Sequence, residues 1–170
     1  MRQDVRDAEF SEYVAAHRVR LVRTARLLTA GDEAAAEDLV QTVLTRLYVK
    51  WRRVSGADDP VAYGYRSLTN AFLDERRRAH HRRETLTQRL PDGVDEEPDR
   101  ETRHLVLGAL DALPPRQRAV VVLRHFLQYD VAATALALGC AEGTVKSQNA
   151  KALAHLREAL GPALSTEGAS

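Results

Sequence analysis

One cysteine, one tryptophan and one methionine occur among 170 residues, and aromatic side chains make up only 5% of the chain. The lone Cys140 excludes an internal disulfide framework and any multi-cysteine zinc site. No run of about 18 uninterrupted apolar residues exists, so there is no candidate membrane span. The stretch Met1-Arg-Gln-Asp-Val-Arg-Asp7 lacks the apolar core of a secretory signal, and a cytoplasmic location is the expectation. No glycine-rich phosphate loop, nucleophile elbow or supported pair of acids appears, so neither an enzyme nor a cofactor is expected. His80, His81, His104 and His125 lack carboxylate or thiol partners at ligand spacing, which argues against a metal site. The hydrophobic share of 44% is ordinary for a folded soluble protein, and nine Gly and six Pro among many Ala, Leu and Arg point to helices with short connections.

A formal net charge of +1 looks like evidence against nucleic-acid binding, but it is an average. Residues 1–90 hold 17 basic and 13 acidic side chains, a net of +4. Residues 91–101 hold one Arg and six acids, a net of −5, and residues 102–170 hold seven basic and five acidic residues, a net of +2. Two basic blocks flank an acidic one.

Apolar spacing predicts a helix from about Glu9 to Leu28, carrying Phe10, Tyr13, Val14, Leu21, Ala25 and Leu28. Thr29-Ala30-Gly31-Asp32 reads as a stop and an N-cap. A second helix is predicted from Glu33 to Val54, acidic at its start and basic at its end. Pro60 suits the first position of a third, from about Val61 to Arg77 or beyond, with Val61, Tyr65, Leu68 and Phe72 as its stripe. The segment from Arg89 to Asp99 has two prolines and an acidic run, the signature of a flexible linker. Beyond it, helices are predicted from Thr102 to Ala112, from Arg116 to Leu127, from Val131 to Leu138 and from Glu142 to about Leu160. The expected architecture is all-α: a domain over residues 1–88, a linker over 89–101, a second domain over 102–162 and a disordered tail over 163–170. An acidic linker of this length would let the two domains close on each other.

The strongest local signal runs from Val131 to Ser147. Asp130 can cap an alanine-rich helix, Gly139 supplies a left-handed turn, and Val145 can pack the next helix back on the first. That packing turns Glu142, Gly143, Thr144, Lys146, Ser147, Asn149, Ala150 and Lys151 outward, small and polar groups suited to base edges and phosphates in a major groove. An ordinary helical hairpin, which an alanine-rich sequence with a glycine turn can also produce, is the alternative.

The order of these motifs resembles the sigma factors of bacterial RNA polymerase, in their minimal extracytoplasmic-function form with regions 2 and 4 joined by a linker. Ala36-Glu-Asp-Leu-Val-Gln41 with Val43, Leu44, Arg46, Leu47 and Tyr48 resembles regions 2.1–2.2. Asp59-Pro-Val-Ala-Tyr63 through Tyr65, Arg66, Leu68, Asn70, Asp74, Arg76 and Arg77 resembles regions 2.3–2.4. Leu110-Asp-Ala-Leu-Pro-Pro-Arg-Gln-Arg-Ala-Val120, followed by the helix-turn-helix, resembles region 4, and the Arg-rich first half suggests the actinobacterial SigE-like branch. The resemblance implies a sigma factor that brings core polymerase to promoters through their −10 and −35 elements. It gives Asp38, Gln41 and Arg46 to the polymerase β′ coiled coil, and the β flap is the further polymerase partner. It gives Arg52, Arg53, Ser55, Tyr63, Arg66, Asn70, Arg76 and Arg77 to −10 DNA, with residues 52–60 as the loop that captures a flipped base. It gives Glu142, Gly143, Thr144, Lys146, Ser147, Asn149 and Lys151 to −35 DNA. Trp51 is open between a core anchor and a neighbour of the capture loop; spacing puts Tyr65 and Phe72 in the core and Tyr63 outward. Thr42, Ala133, Ala141 and Lys151 depart from residues common in relatives. Promoter DNA and core polymerase are the expected partners, with an anti-sigma factor by family habit and no membrane. A regulator with a LuxR-type helix-turn-helix would need a receiver or ligand-binding first half, which this chain does not resemble. A purely protein-binding adaptor is the third reading.

Overall fold

A computed structural model describes residues 2–82 and 100–167, which form helices joined by short turns, with no strand among them. Helix α1 runs over Gln3–Leu28, two turns earlier than its apolar stripe predicts, because a cross-helix contact holds those polar turns. The Tyr48 hydroxyl accepts from Arg6 Nη2 at 2.9 Å and Gln3 Nε2 at 3.3 Å, and donates to Asp7 Oδ1 at 2.7 Å. The Arg6 guanidinium also lies 4.6 Å over the Tyr48 ring.

Thr29 ends α1 by donating its hydroxyl to Ala25 O at 2.8 Å. The chain then turns through Ala30 (φ 53°) and Gly31 (φ 90°), and Asp32 Oδ1 caps α2 by accepting from Ala35 N at 3.0 Å. Helix α2 spans Glu33–Val49, and a separate short helix α3 spans Trp51–Ser55. The single helix expected over residues 33–54 thus breaks at Lys50 (φ −101°, ψ 17°). The break swings Trp51 into the core, edge-on to Phe10 and Tyr13 with centroids 5.3 and 5.2 Å away, and its indole N–H donates to Glu9 Oε2 at 3.3 Å. Trp51, open in the sequence, is therefore a core residue at 4% exposure.

Helix α4 spans Pro60–Arg82, capped by Asp59 Oδ1 on Ala62 N at 2.9 Å. It crosses α1 closely at Gly64: a Cβ there would stand 2.2 Å from the Tyr13 hydroxyl, which donates to Pro60 O. Tyr65, Leu68 and Phe72 are buried, as the stripe predicts.

In the second half, α5 spans Arg100–Asp111 and α6 spans Pro115–Val121. Helix α6 passes directly into a π-helical turn over Val122–Phe126, where Leu127 N reaches back to Val122 O at 3.0 Å. Helix α7 spans Val131–Leu138 and α8 spans Glu142–Glu167. Residues 163–167, expected as part of a disordered tail, continue α8. The expected linker over residues 89–101 lies outside the described residues except for Arg100 and Glu101, which open α5.

The two halves share a core. One apolar cluster runs from Leu21, Leu47, Leu68 and Phe72 into Val120, Leu123, Leu138 and Val145, and Leu27 of α1 packs on the smaller cluster of Leu110, Leu113, Val121 and Ala152 as well. At the seam stands Arg118, 3% exposed. Its Nη1 donates to Leu28 O across the halves at 2.8 Å; its Nη2 donates to Asp111 O at 3.0 Å and Leu113 O at 3.3 Å within its own half. The guanidinium lies 5.8 Å from the Phe72 ring centroid. Burial, and next the nearby Arg76, push its pKa down to about 10 against the opposing pull of Asp111.

Candidate functional site

Helices α7 and α8 meet through the expected turn. Asp130 Oδ1 accepts from Ala133 N at 2.7 Å, Gly139 is left-handed (φ 64°), and Val145 is fully buried. Burying Val145 turns the first two turns of α8 outward, so Glu142, Gly143, Thr144, Lys146, Ser147 and Lys151 are exposed. Asn149 departs from that group. It is half-buried on the side facing the π-helical turn, where its Oδ1 stands 2.9 Å from His125 Nε2. Arg116 reaches the last carbonyl of α7, Leu138 O, at 3.5 Å, and Arg124 Nη1 donates to Tyr129 O at 2.6 Å.

Between the π-helical turn and α8 lies a cleft of about 340 Å³ lined by Arg124, Lys146, Asn149 and Arg157 over an apolar floor of Val131, Val145 and Leu153. It carries three cations and no carboxylate, the electrostatic footprint of a polyanion-facing surface. Sequence reasoning passed over Arg124 and Arg157 and weighed His125 only as a metal ligand. A cue was available in the adjacent pair Arg124-His125 just ahead of the motif. Among the described residues, no cluster of three metal-ligating side chains forms.

In the first half, Asp38, Gln41 and Arg46 are all exposed on α2, and Asp38 and Arg46 line a groove of about 330 Å³ between α2 and α4. Leu39, Ala71 and Phe72 line it with apolar surface, and Glu75, Arg76, Arg78 and Arg82 add charge. On α4, Tyr63, Arg66, Asn70 and Arg77 fall at i, i+3, i+7 and i+14 and so share one stripe. Tyr63 packs partly on the core, Arg66 is exposed, Asn70 is half-buried and Arg77 pairs with Asp74. Arg76 does not join them. It turns toward the groove, 5.5 Å over the Phe72 ring. On α3, Arg52 and Arg53 are exposed, while the Ser55 hydroxyl turns back to Arg52 O at 3.5 Å. Arg52, Arg53 and the α4 stripe adjoin through the turn of residues 56–59.

Three phenols meet where the halves join. Burial raises the Tyr13 pKa to about 12, helped by the nearby Tyr65, Asp59 and Tyr129. Tyr65 and Tyr129 are raised too, chiefly by burial; Asp59 and Tyr65 add to the effect at Tyr129, and Arg20 opposes it at both. The Tyr65 hydroxyl is buried with no hydrogen-bond partner.

Known families account for both halves. Residues 13–82 match Sigma-70 region 2 and residues 103–156 match Sigma-70, region 4. The RNA polymerase sigma-E factor of Streptomyces avermitilis is 42% identical over 154 residues, covering 89% of this chain and 85% of that protein. The ECF RNA polymerase sigma factor SigM of Mycobacterium tuberculosis is 35% identical over 156 residues, covering 89% of this chain and 77% of its own. Among solved structures, the sigma factor RpoE in complex with the anti-sigma factor NepR from Bartonella quintana shares the fold. It has a TM-score of 0.71 at 24% identity, over 90% of this chain and 97% of that one. The chain belongs to the extracytoplasmic-function sigma factors, of the actinobacterial sigma-E-like kind, which direct core RNA polymerase to promoters through −10 and −35 elements and promote initiation there.

Proposed function

We propose the following division of labour among the residues. The observation that carries it is the α7–Gly139–α8 unit, in which a buried Val145 leaves a run of small and polar groups projecting from the start of α8. Residues 102–162 act as the −35 module. The first turns of α8 enter the major groove, where Lys146 and Lys151 meet phosphates and Thr144 and Ser147 meet phosphates or base edges. Asn149 contributes from the side, oriented by His125. Residues 1–88 act as the polymerase and −10 module. Asp38, Gln41 and Arg46 dock α2 on the β′ coiled coil, and the second module docks on the β flap. Tyr63, Arg66, Asn70 and Arg77, with Arg52 and Arg53, line the path of the melted strand, where stacking and phosphate contacts offset the few kcal/mol that extruding a base costs. Ser55 closes the capture loop, and Arg76 reaches the phosphate backbone.

The protein works in the cytoplasm as a specificity subunit and catalyses nothing itself; the polymerase does the chemistry. Two structural relatives, RpoE with NepR and CnrH with the cytosolic domain of CnrY, were solved with such partners, and an anti-sigma factor is the expected negative regulator here.

Run-off transcription tests the reading. Streptomyces core polymerase plus this chain is given a linear template pool randomised over the −10 and −35 positions, and the transcripts are sequenced. A defined start site with enriched motifs at both spacings is expected; transcripts no different from core alone would overturn it. Changing both Lys146 and Lys151 to alanine is expected to weaken promoter binding by the holoenzyme and reduce the slope of log affinity against log salt by about 1.8, near 0.9 for each phosphate no longer neutralised. An unchanged slope would remove these lysines from the phosphate-binding set.

A further inference from the structure

Two histidine–amide pairs fasten α8 to the elements before it, and they differ in what they leave free. His155 Nδ1 stands 3.1 Å from Gln117 Oε1, and that glutamine is buried on α6. His125 Nε2 stands 2.9 Å from Asn149 Oδ1. An amide oxygen only accepts, so the ring nitrogen carries the hydrogen and the His125 tautomer is set. The Nδ2 amino group of Asn149, a donor only, has no partner among the described residues.

Asn149 lines the cleft between the π-helical turn and α8, whereas His125 does not. The amide is therefore held by its oxygen from behind and presents its N–H groups to the space framed by Arg124, Lys146 and Arg157. Those cations attract a phosphate from any approach, but attraction between charges carries little direction. A neutral N–H fixed beside them adds direction without adding charge. An unheld asparagine would lack this, since one of its two amide orientations turns a carbonyl oxygen toward the oxygens of the phosphate. Holding the amide also removes a rival role. Paired reading of adenine needs the amide oxygen and N–H presented together, and here the oxygen is turned to His125. His125 itself lies in the π-helical turn, a feature that recurs at functional sites.

We infer that His125 is a positioning residue for −35 binding: by holding Asn149 Oδ1 it aims the Asn149 N–H groups into the cleft, where they donate to one phosphate of the −35 duplex. The inference deepens the division of labour proposed above and rests on it.

Promoter binding by the holoenzyme, on the template that the run-off selection enriches, is measured across a salt series. Asn149→Ala and His125→Leu are each expected to weaken binding about fivefold with the slope of log affinity against log salt unchanged, since no cation is lost. His125 is exposed, so its replacement leaves the core intact. Because His125 acts through Asn149, His125→Leu is expected to cost nothing further in the Asn149→Ala background. His155→Leu removes the other clasp and is expected to leave affinity within about twofold of the parent. Ethylation interference is expected to find one −35 phosphate whose blocking weakens the parent but neither cleft variant.

Fully additive losses from the two substitutions, or an equal loss from His155→Leu, would reduce His125 to a structural clasp and overturn the inference. A shifted −35 base preference with every phosphate signal retained overturns it too. A parent that selects no promoter overturns the division of labour, and this inference with it. A parent that selects one, with cleft variants that bind equally well, overturns the inference alone.

Discussion

Arg118→Ala is expected to cost about 3 to 5 kcal/mol of folding stability, the largest loss from any single polar side chain among the described residues. The reason is what its removal leaves behind. Leu28 O, Asp111 O and Leu113 O each accept from this guanidinium. The buried Leu28 and Leu113 carbonyls left without a donor cost about 1–3 kcal/mol each, and water entering the void recovers part of that. The deletion also opens a cavity beside Phe72, which adds a packing term. Arg118→Met separates the two contributions. It restores most of the volume without any donor, so it is expected to recover about 1–2 kcal/mol of the loss. Urea unfolding of the three proteins, followed by circular dichroism, reads the ranking. An alanine variant within about 1 kcal/mol of the parent would mean that these carbonyls find other donors, and that the seam does not depend on Arg118.

The second large effect is alkaline. A phenol in the unfolded chain ionises near its ordinary value of 10.0, whereas Tyr13 in the fold keeps its proton to about 12. Between those pH values the unfolded chain gives up a proton that the folded chain retains. Stability is therefore fully present below pH 10 and falls as pH rises toward 12. A gap of about two pKa units corresponds to about 3 kcal/mol at its full extent. Tyr65 and Tyr129 shift in the same direction and add to the loss. The difference between the parent and Tyr13→Phe isolates one phenol from that background. At pH 8 the variant is expected to be about 1 kcal/mol less stable, having lost the hydrogen bond to Pro60 O. By pH 11.5 the order reverses, because phenylalanine has no proton to lose. Parallel decline of both proteins from pH 8 to 11.5 would show that Tyr13 titrates in the fold as it does in the unfolded chain.

Much of this was legible in the residues where local chemistry decides. Asp32 and Asp130 cap the helices they were expected to cap, α7 has the expected bounds, Gly139 is left-handed and Val145 is buried. In each case the signal sits within a turn of the feature it controls. What escaped depends on contacts distant in sequence. The first two turns of α1 are polar and give no periodic signal, and Tyr48 holds them from 41 or more residues away. The break at Lys50 is hidden because Leu47, Trp51 and Val54 continue a helical spacing across it. A π-helical turn adds no residue that a pattern could flag. Nothing next to Arg118 in the sequence marks it for burial, yet it becomes one of the most buried polar groups because two halves close around it. The site residues divide the same way. Exposure of the α8 start follows from Val145, while the inward turn of Asn149 follows from His125, which no spacing rule connects to it. The outward reading of Tyr63 was half right, since it packs partly on the core.

The knot that ties Gln3, Arg6 and Asp7 to Tyr48 has a practical consequence. It makes α1 one continuous rod of 26 residues, about 39 Å long, whose leading end moves with the rest of the first half. A fluorophore carried on that end is thus attached to a stiff handle and not to a frayed strand. Paired with a second dye on the exposed face of α8, it reports the distance between the two halves.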